Sequence, residues 1–203
     1  MPLTLAKRAL QLNLASGRKG LPPLILMTDG ARLKRPLEAA ARLPRGSAVI
    51  LRDYDNPHRA DLARALLVVC RRRGILLLIG ADTELARVVG ADGIHYPEAL
   101  VPPAGSIQRP ASQWLVMAAA HSAVGLVRAR RAGADAAILA PVFETGSHPG
   151  RMSLGPTRFA ALVRSADLPV YALGGVDNAT AARLSGGGAV GIAAVSAFGA
   201  ATR

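Results

Sequence analysis

The sequence is poor in cysteine, in aromatic residues and in acidic residues, and each shortage excludes a class of protein. Cys70 is the single cysteine, so the chain has neither a disulfide framework nor a thiolate metal cluster. Phe, Trp and Tyr make up 3% of the 203 residues, so the core must be built from aliphatic side chains. No apolar run reaches the roughly 18 residues that a membrane-spanning helix needs. We therefore expect a globular chain with a core of Leu, Val, Ile and Ala and no membrane partner.

Basic residues outnumber acidic residues by 25 to 13, which gives a formal net charge of +12. This excess alone would suit a nucleic-acid-binding protein. The basic residues are mostly arginines scattered along the polar sides of predicted helices, however, and aromatic side chains for base stacking are scarce. We therefore expect no nucleic-acid partner and interpret the charge as an attraction for phosphorylated small molecules. Residues 1–16 lack the long apolar segment of a signal peptide, and we expect a cytoplasmic protein.

Eight short apolar runs bounded by turn residues predict a parallel sheet that is buried on both faces. The runs are Leu24–Met27, Ala48–Leu51, Ile75–Ile79, Gly93–His95, Trp114–Ala118, Ala136–Leu139, Val170–Leu173 and Gly191–Val195. Most gaps can hold a helix, and Ala123–Ala132 places Val124 and Val127 on one predicted inner stripe. The gap Pro97–Gln113 is rich in proline and predicts a loop or a degenerate helix. This alternation predicts a (β/α)8 barrel, with a doubly wound open sheet as the alternative.

The chain divides into an N-terminal helical extension, residues 1–22, and a predicted barrel, residues 23–203. Within the extension, Leu5, Ala9 and Leu12 lie on one face of a candidate helix. We expect this helix to cap the barrel or to pair with another subunit, so a homo-oligomer is one of the partners that the sequence allows.

Polar or glycine residues follow several predicted strands, at the end where the functional groups of such barrels lie. The residues that we select as site candidates are Arg52, His121, Glu144, Thr145, Ser147, His148, Gly174, Gly175, Val195 and Ser196. The glycine pair allows a ligand to approach the backbone closely. Because the loops after strands seven and eight usually cradle phosphate in this fold, we expect a phosphate ester as the ligand.

In this order and spacing, the strand ends resemble the thiamine phosphate synthase/TenI family over about residues 24–198. The matching segments are Leu26–Asp29, Leu51–Asp53, Gly90–His95, His121–Ser122, Gly133–Asp135, Pro141–Phe143 with Thr145 and Ser147, Leu154–Gly155, Ala172–Val176 and Ala194–Ser196. The resemblance implies an enzyme that joins a hydroxymethylpyrimidine diphosphate to a thiazole phosphate and releases diphosphate. The residues that it assigns to the thiazole phosphate are Thr145, Ser147, Gly174, Gly175, Val195 and Ser196.

The diphosphate side of the site departs from the family's pattern. Tyr54 and His148 stand where the family has lysines, and Gly80–Asp82 replaces an Asn-Asp-Arg signature that contains a metal-binding aspartate. A second metal aspartate is missing after strand four. The resemblance implies a Mg²⁺ cofactor, and the loss of these residues weakens that expectation. Asp82 and Glu98 are the carboxylates left as candidates for a displaced metal site.

Three functions agree with these residues. We expect an enzyme, a divergent synthase of transferase type, with Arg52, His121, Glu144 and His148 as catalytic candidates. The alternatives are a TenI-like thiazole tautomerase and a non-catalytic binder of thiazole phosphate or thiamine phosphate. His121 and Glu144 at adjacent strand ends favour the isomerase, since proton transfer needs a positioned base. Pro141, in place of the typical tautomerase histidine, argues against it.

Overall fold

Eight parallel strands close into a barrel in the computed structural model, which describes residues 4–18, 20–145 and 152–195. The strands are β1 (Leu24–Met27), β2 (Ala48–Leu51), β3 (Leu76–Gly80), β4 (Gly93–Tyr96), β5 (Leu115–Ala120), β6 (Ala136–Leu139), β7 (Val170–Ala172) and β8 (Gly191–Ala194). The helices are α1 (Leu5–Ser16), α2 (Pro36–Ala41), α3 (Arg59–Arg73), α4 (Thr83–Val89), α5 (Ala123–Ala132) and α6 (Gly155–Ser165), and short 3₁₀ helices cover Glu98–Leu100 and Ala181–Leu184. Each strand pairs with the next, and β8 pairs with β1. The predicted (β/α)8 barrel is confirmed.

The strands are buried on both faces, and their side chains form two layers. The inner layer, which fills the barrel, includes Ile25, Met27, Ile50, Leu78, Met117, Ile138, Tyr171 and Ala193. The alternate residues of the same strands pack outward against the helices. At the amino end of the barrel, the hydroxyl of Tyr171 donates to the carbonyl oxygen of Pro22 at 2.8 Å. The interior is therefore a packed core at this end, and any ligand must enter from the other.

Helix α5 buries a different face from the one that its valines predict. Val124 and Val127 are 69% and 49% exposed. The residues that α5 buries are Gly125, Leu126, Ala129 and Ala132. These residues are mostly small, so the helix can approach the alanine-rich strand β5 closely. The two valines therefore remain on the solvent side.

The repeated sequence Gly-Ala-Asp, at 90–92 and 133–135, connects a helix to the following strand. In each copy the glycine ends the helix in a left-handed conformation, with φ of +73° and +99°. The aspartate then accepts a hydrogen bond from the backbone of the preceding strand, Asp92 from Leu77 at 2.8 Å and Asp135 from Val116 at 2.7 Å. The repeat thus stabilises the amino end of the barrel and not the carboxyl end, where the functional groups of such barrels lie.

Helix α1 packs on the outside of β8 and β1. Its predicted inner residues Leu5, Ala9 and Leu12 are all buried. The side-chain amide of Asn13 donates to the carbonyl oxygen of Val190 at 2.9 Å and holds the helix against the strand. The helix therefore covers part of the barrel's own wall. Of the helices in the described ranges, none combines the length and the apolar character needed to cross a membrane.

Candidate active site

A cavity of about 450 Å³ opens at the carboxyl end of the barrel. The predicted residues that line it are Arg52, Glu98, His121, Thr145, Gly174, Gly175 and Val195. Among the described residues, the ends of all strands except β3 contribute to the lining. A volume of this size is typical of sites for small molecules.

The remaining predicted residues fall into two groups. Ser147, His148 and Ser196 lie outside the described residues. Glu144 is exposed, Asp82 is half-buried, and neither lines the cavity.

The β1–β2 side of the cavity carries two guanidinium groups that share one carboxylate. Asp29 accepts a hydrogen bond from Arg32 at 2.5 Å, and its Oδ2 atom lies 3.4 Å from Nη2 of Arg52. The hydrogen bond and charge of Arg32, together with the charge of Arg52, hold the pKa of Asp29 below its usual value. Thr28 fixes the strand ends, because its hydroxyl accepts from the backbone N–H of Arg52 at 2.9 Å and donates to Asp53 in a very short contact. This side can therefore hold an anion against preorganised cations.

His95 lies at the floor of the cavity and is only 2% exposed. Neither of its ring nitrogens has a hydrogen-bond partner among the described residues. Burial, aided by the charge of Arg52, lowers the pKa of His95 to about 3. The imidazole is therefore neutral at physiological pH, with a hydrogen on one ring nitrogen and a lone pair on the other.

His121 lies beside the carboxylate of Glu98, not beside that of Glu144, which the strand order predicts. Its Nδ1 atom lies 2.8 Å from the carbonyl oxygen of Ala140, and since a carbonyl can only accept, Nδ1 carries the hydrogen. Its Nε2 atom faces Oε2 of Glu98 at 3.9 Å. Arg128 anchors this segment by donating to the carbonyl oxygen of Glu98 at 3.1 Å. The pair at the cavity wall is thus His121 with Glu98, whereas Glu144 points to solvent.

The glycine pair after β7 is required by close packing against the loop after β6. Gly174 and Gly175 have φ of +94° and +63°, and a Cβ atom on Gly174 would lie 2.8 Å from Cα of Pro141. A Cβ atom on Gly175 would overlap the carbonyl oxygen of Glu144, and the N–H of Phe143 donates to the carbonyl oxygen of Gly174 at 3.0 Å. Both glycines also present bare backbone to the cavity. They therefore join the two loops that form this side of the site.

The two carboxylates that the sequence suggests as metal ligands, Asp82 and Glu98, contact other groups of the chain. Asp82 caps α4 by accepting from the backbone N–H of Leu85 at 2.8 Å, and it lies 3.5 Å from Nη1 of Arg59. Glu98 faces His121 instead. Within the described ranges, no cluster of three or more His, Cys, Asp or Glu side chains is placed to hold a metal ion. A Mg²⁺-diphosphate site uses one or two carboxylates beside the phosphates of the substrate. Of the two described candidates, Asp82 does not line the cavity and Glu98 faces His121, so this pair of carboxylates does not fit such a site.

Arg32, Tyr54 and His95 also line the cavity, although the sequence pattern did not select them as site residues. The strand Gly93–Tyr96 carries a usable signal for His95, because alternation along a strand places it on the same face as the small residue Gly93, toward the barrel interior. Arg32 reaches the site through the turn after β1, which no local pattern predicts.

Known proteins resemble this chain over most of its length. The family model described as thiamine monophosphate synthase matches residues 24–198. The thiamine-phosphate synthase of Thiobacillus denitrificans is 35% identical over 176 residues, covering 84% of this chain and 82% of that protein. The thiamine-phosphate synthase of Chlorobium luteolum is 31% identical over 181 residues, covering 87% of this chain and 84% of that protein. Among solved structures, the thiamine phosphate pyrophosphorylase from Pyrococcus furiosus has a TM-score of 0.70 at 25% identity and covers 87% of each chain.

Proposed function

This chain belongs to the thiamine monophosphate synthase family, and from this we propose that it binds a thiazole phosphate in the cavity at the carboxyl end of its barrel. A role in thiamine biosynthesis follows from the family. Beyond the family, we propose which ligand is bound, a thiazole phosphate, and which side of the family's site this chain retains, the thiazole-phosphate side.

One observation carries the proposal: two arginines face the cavity from one side and a bare glycine turn faces it from the other. Arg32 and Arg52 supply the charge for a phosphate group. Gly174 and Gly175 line the cavity with bare backbone, and Thr145 adds a side chain that also lines it. These features support a phosphate monoester attached to a small ring.

The reaction that we propose first is the family's condensation. In it, the bond between the pyrimidine methylene carbon and the diphosphate oxygen breaks, and the thiazole nitrogen forms a bond to the same carbon. Arg32 and Arg52 together supply positive charge for both anions, the phosphate ester and the departing diphosphate, and the neutral His95 at the floor adds none. The names of the relatives support this reaction, whereas the donor set for Mg²⁺ does not, so we derive no step through a metal.

Incubation with both substrates tests this reaction directly. The full chain is mixed with hydroxymethylpyrimidine diphosphate and thiazole phosphate, with Mg²⁺ or with EDTA, and thiamine phosphate is separated by chromatography. Product above the protein-free background supports a synthase. Absence of product in both buffers rejects the condensation and leaves the binding proposal to be tested by calorimetry.

A second candidate is a proton transfer on the thiazole ring, and the His121–Glu98 contact favours it. With its hydrogen fixed on Nδ1, His121 can exchange a proton only through Nε2, which faces the carboxylate of Glu98. Such a pair can take a proton from one ring atom and return it to another. The measurement is hydrogen–deuterium exchange of the thiazole carbon-bound hydrogens followed by NMR, with the protein-free rate as the reference.

A further inference from the structure

Arg59, the first residue of α3, contacts three oxygen atoms at the ends of β2 and β3. Its Nη2 atom donates to the carbonyl oxygen of Gly80 at 2.5 Å and to that of Leu51 at 3.3 Å. Its Nη1 atom lies 3.5 Å from Oδ2 of Asp82. The side chain is only 12% exposed. One guanidinium therefore links the two strand ends through two carbonyls and a carboxylate.

Tyr54 separates this guanidinium from the cavity. The Arg59 guanidinium lies 5.4 Å from the centre of the Tyr54 ring, within the range of a cation–π contact. The Tyr54 hydroxyl lies 3.0 Å from where a Cβ atom on Gly80 would stand, so the Tyr54 ring packs closely against that strand end. Tyr54 itself lines the cavity. The guanidinium is therefore fixed directly behind the cavity wall.

The oxygens that Arg59 takes are of the kind that a hard divalent cation requires. A carboxylate and backbone carbonyls are typical ligands of Mg²⁺ and Mn²⁺. While the guanidinium contacts all three, its positive charge opposes a second cation at the same oxygens. Asp82 is in addition committed to the N-terminus of α4. The strand ends thus already contain a cation, supplied by the chain.

We propose that Arg59 occupies the oxygens at the ends of β2 and β3 in place of a divalent cation, so that phosphate-ligand binding in the adjoining cavity does not depend on a metal ion at this point. The second half of this proposal rests on the proposed phosphate-binding function. The first half concerns the oxygens of this chain alone and can be tested without any ligand.

The test of the first half is a titration of the full chain with Mn²⁺, in which electron paramagnetic resonance measures the free ion. We expect no saturable binding by the wild-type chain up to about 1 mM, the weak end of oxygen-ligand cation sites. Arg59→Ala frees the oxygens and should raise the Mn²⁺ affinity by about tenfold or more, and Asp82→Asn in the same chain should remove that gain. Arg71→Ala is the matched control, since Arg71 pairs with Asp92 at the opposite end of the barrel and its loss should add no Mn²⁺ affinity.

Two results would overturn the assignment of Arg59. One is saturable Mn²⁺ binding by the wild-type chain that Asp82→Asn abolishes. The other is a folded Arg59→Ala chain, checked by circular dichroism, with no gain in affinity. If Arg59→Ala does not fold, Arg59→Gln removes the charge while keeping hydrogen-bond donors, and the same gain is expected.

The ligand half is tested by calorimetry with thiazole phosphate and with inorganic diphosphate, the anion beside which the family has its metal, each in Mg²⁺ and in EDTA. We expect affinities that agree within about twofold, and a loss of about tenfold or more in EDTA contradicts metal independence. Absence of heat in both buffers rejects the proposed phosphate-binding function instead, and the Mn²⁺ titrations then still decide the role of Arg59.

Discussion

Arg52 and Asp29 face each other across the carboxyl ends of β2 and β1, with Nη2 of the arginine 3.4 Å from Oδ2 of the aspartate. Asp29 accepts a much closer bond from Arg32 at 2.5 Å. Asp29 thus orients Arg52, but its single negative charge is shared with Arg32 and does not cancel the charge of both arginines. Arg52 also lines the cavity. This relationship makes Arg52 the side chain best placed to bind a phosphate group.

Replacing Arg52 by methionine should weaken phosphate binding selectively. A hydrogen-bonded charge pair is worth about 1.5–3 kcal/mol, so we expect the affinity for thiazole phosphate to fall by about ten- to a hundredfold. The affinity for the unphosphorylated thiazole alcohol should change little. Calorimetry with both ligands measures the ratio, and Arg42→Met, an exposed change directly after α2, is the control. Equal losses for the two ligands would show that Arg52 acts through the fold rather than through the phosphate.

The glycine turn should tolerate no side chain at Gly175. Gly175→Ala adds a Cβ atom that overlaps the Glu144 carbonyl oxygen and lies 2.8 Å from Cβ of Phe143, at a φ of +63°. We expect the free energy of unfolding in urea to fall by more than about 2 kcal/mol, beyond the roughly 1 kcal/mol that left-handed backbone alone costs alanine. Gly186→Ala is the matched control, because Gly186 has a similar φ of +73° and open space around it. Equal losses at the two positions would contradict the packing described for the turn.

The acid stability of the protein should depend on His95. The unfolded histidine takes up a proton near pH 6.5, whereas in the folded chain burial lowers the pKa to about 3. The unfolded state therefore binds more protons between these values, and stability that is present above pH 6.5 is lost as the pH falls toward 3. His95→Leu should reduce the slope of unfolding free energy against pH by up to about 1.4 kcal/mol per pH unit in this window. Denaturant unfolding at several pH values measures it, with His58→Gln at an exposed position as the control. An unchanged slope in His95→Leu would contradict a buried neutral imidazole.

The His121–Glu98 pair should depend on a glycine in α5. A Cβ atom at Gly125 would lie 2.6 Å from Oε1 of Glu98, so Gly125→Ala must displace that carboxylate. We expect deuterium exchange into the thiazole ring to fall to the rate of Glu98→Gln. Helix propensity favours alanine by about 1 kcal/mol and offsets part of the strain, so the thermal midpoint should change little. If both variants exchange deuterium at the wild-type rate, the His121–Glu98 pair takes no part in proton transfer on the thiazole ring.

The barrel could be predicted because its evidence is local. Leu24–Met27, Ala48–Leu51 and Ala136–Leu139 are strands with the bounds that their apolar runs predict, since strands buried on both faces are apolar throughout. The proline-rich gap after β4 contains only the short 3₁₀ helix Glu98–Leu100 among its helical elements, as its lack of periodicity predicts. The position of Arg52 and Gly175 at strand ends follows from the same runs.

The contacts within the site could not be predicted, because they join residues distant in the sequence. His121 pairs with Glu98 rather than with Glu144 because the 3₁₀ helix after β4 places Glu98 beside the end of the neighbouring strand β5. Arg59 reaches the carbonyl oxygen of Gly80 across two strand ends, a relation that no spacing encodes. The exposed Val124 shows that apolar periodicity alone does not choose the buried face when small residues occupy the other one.

The most direct test of the phosphate site is a calorimetric titration of the full chain with thiazole phosphate, compared with the unphosphorylated thiazole alcohol. We predict saturable heat for the phosphate, with a dissociation constant in the range of about 1 μM to 1 mM typical of metabolite sites, and binding of the alcohol at least about tenfold weaker. No saturable heat with the phosphate, or equal affinity for the two compounds, would contradict a phosphate site between Arg52 and the Gly174–Gly175 turn.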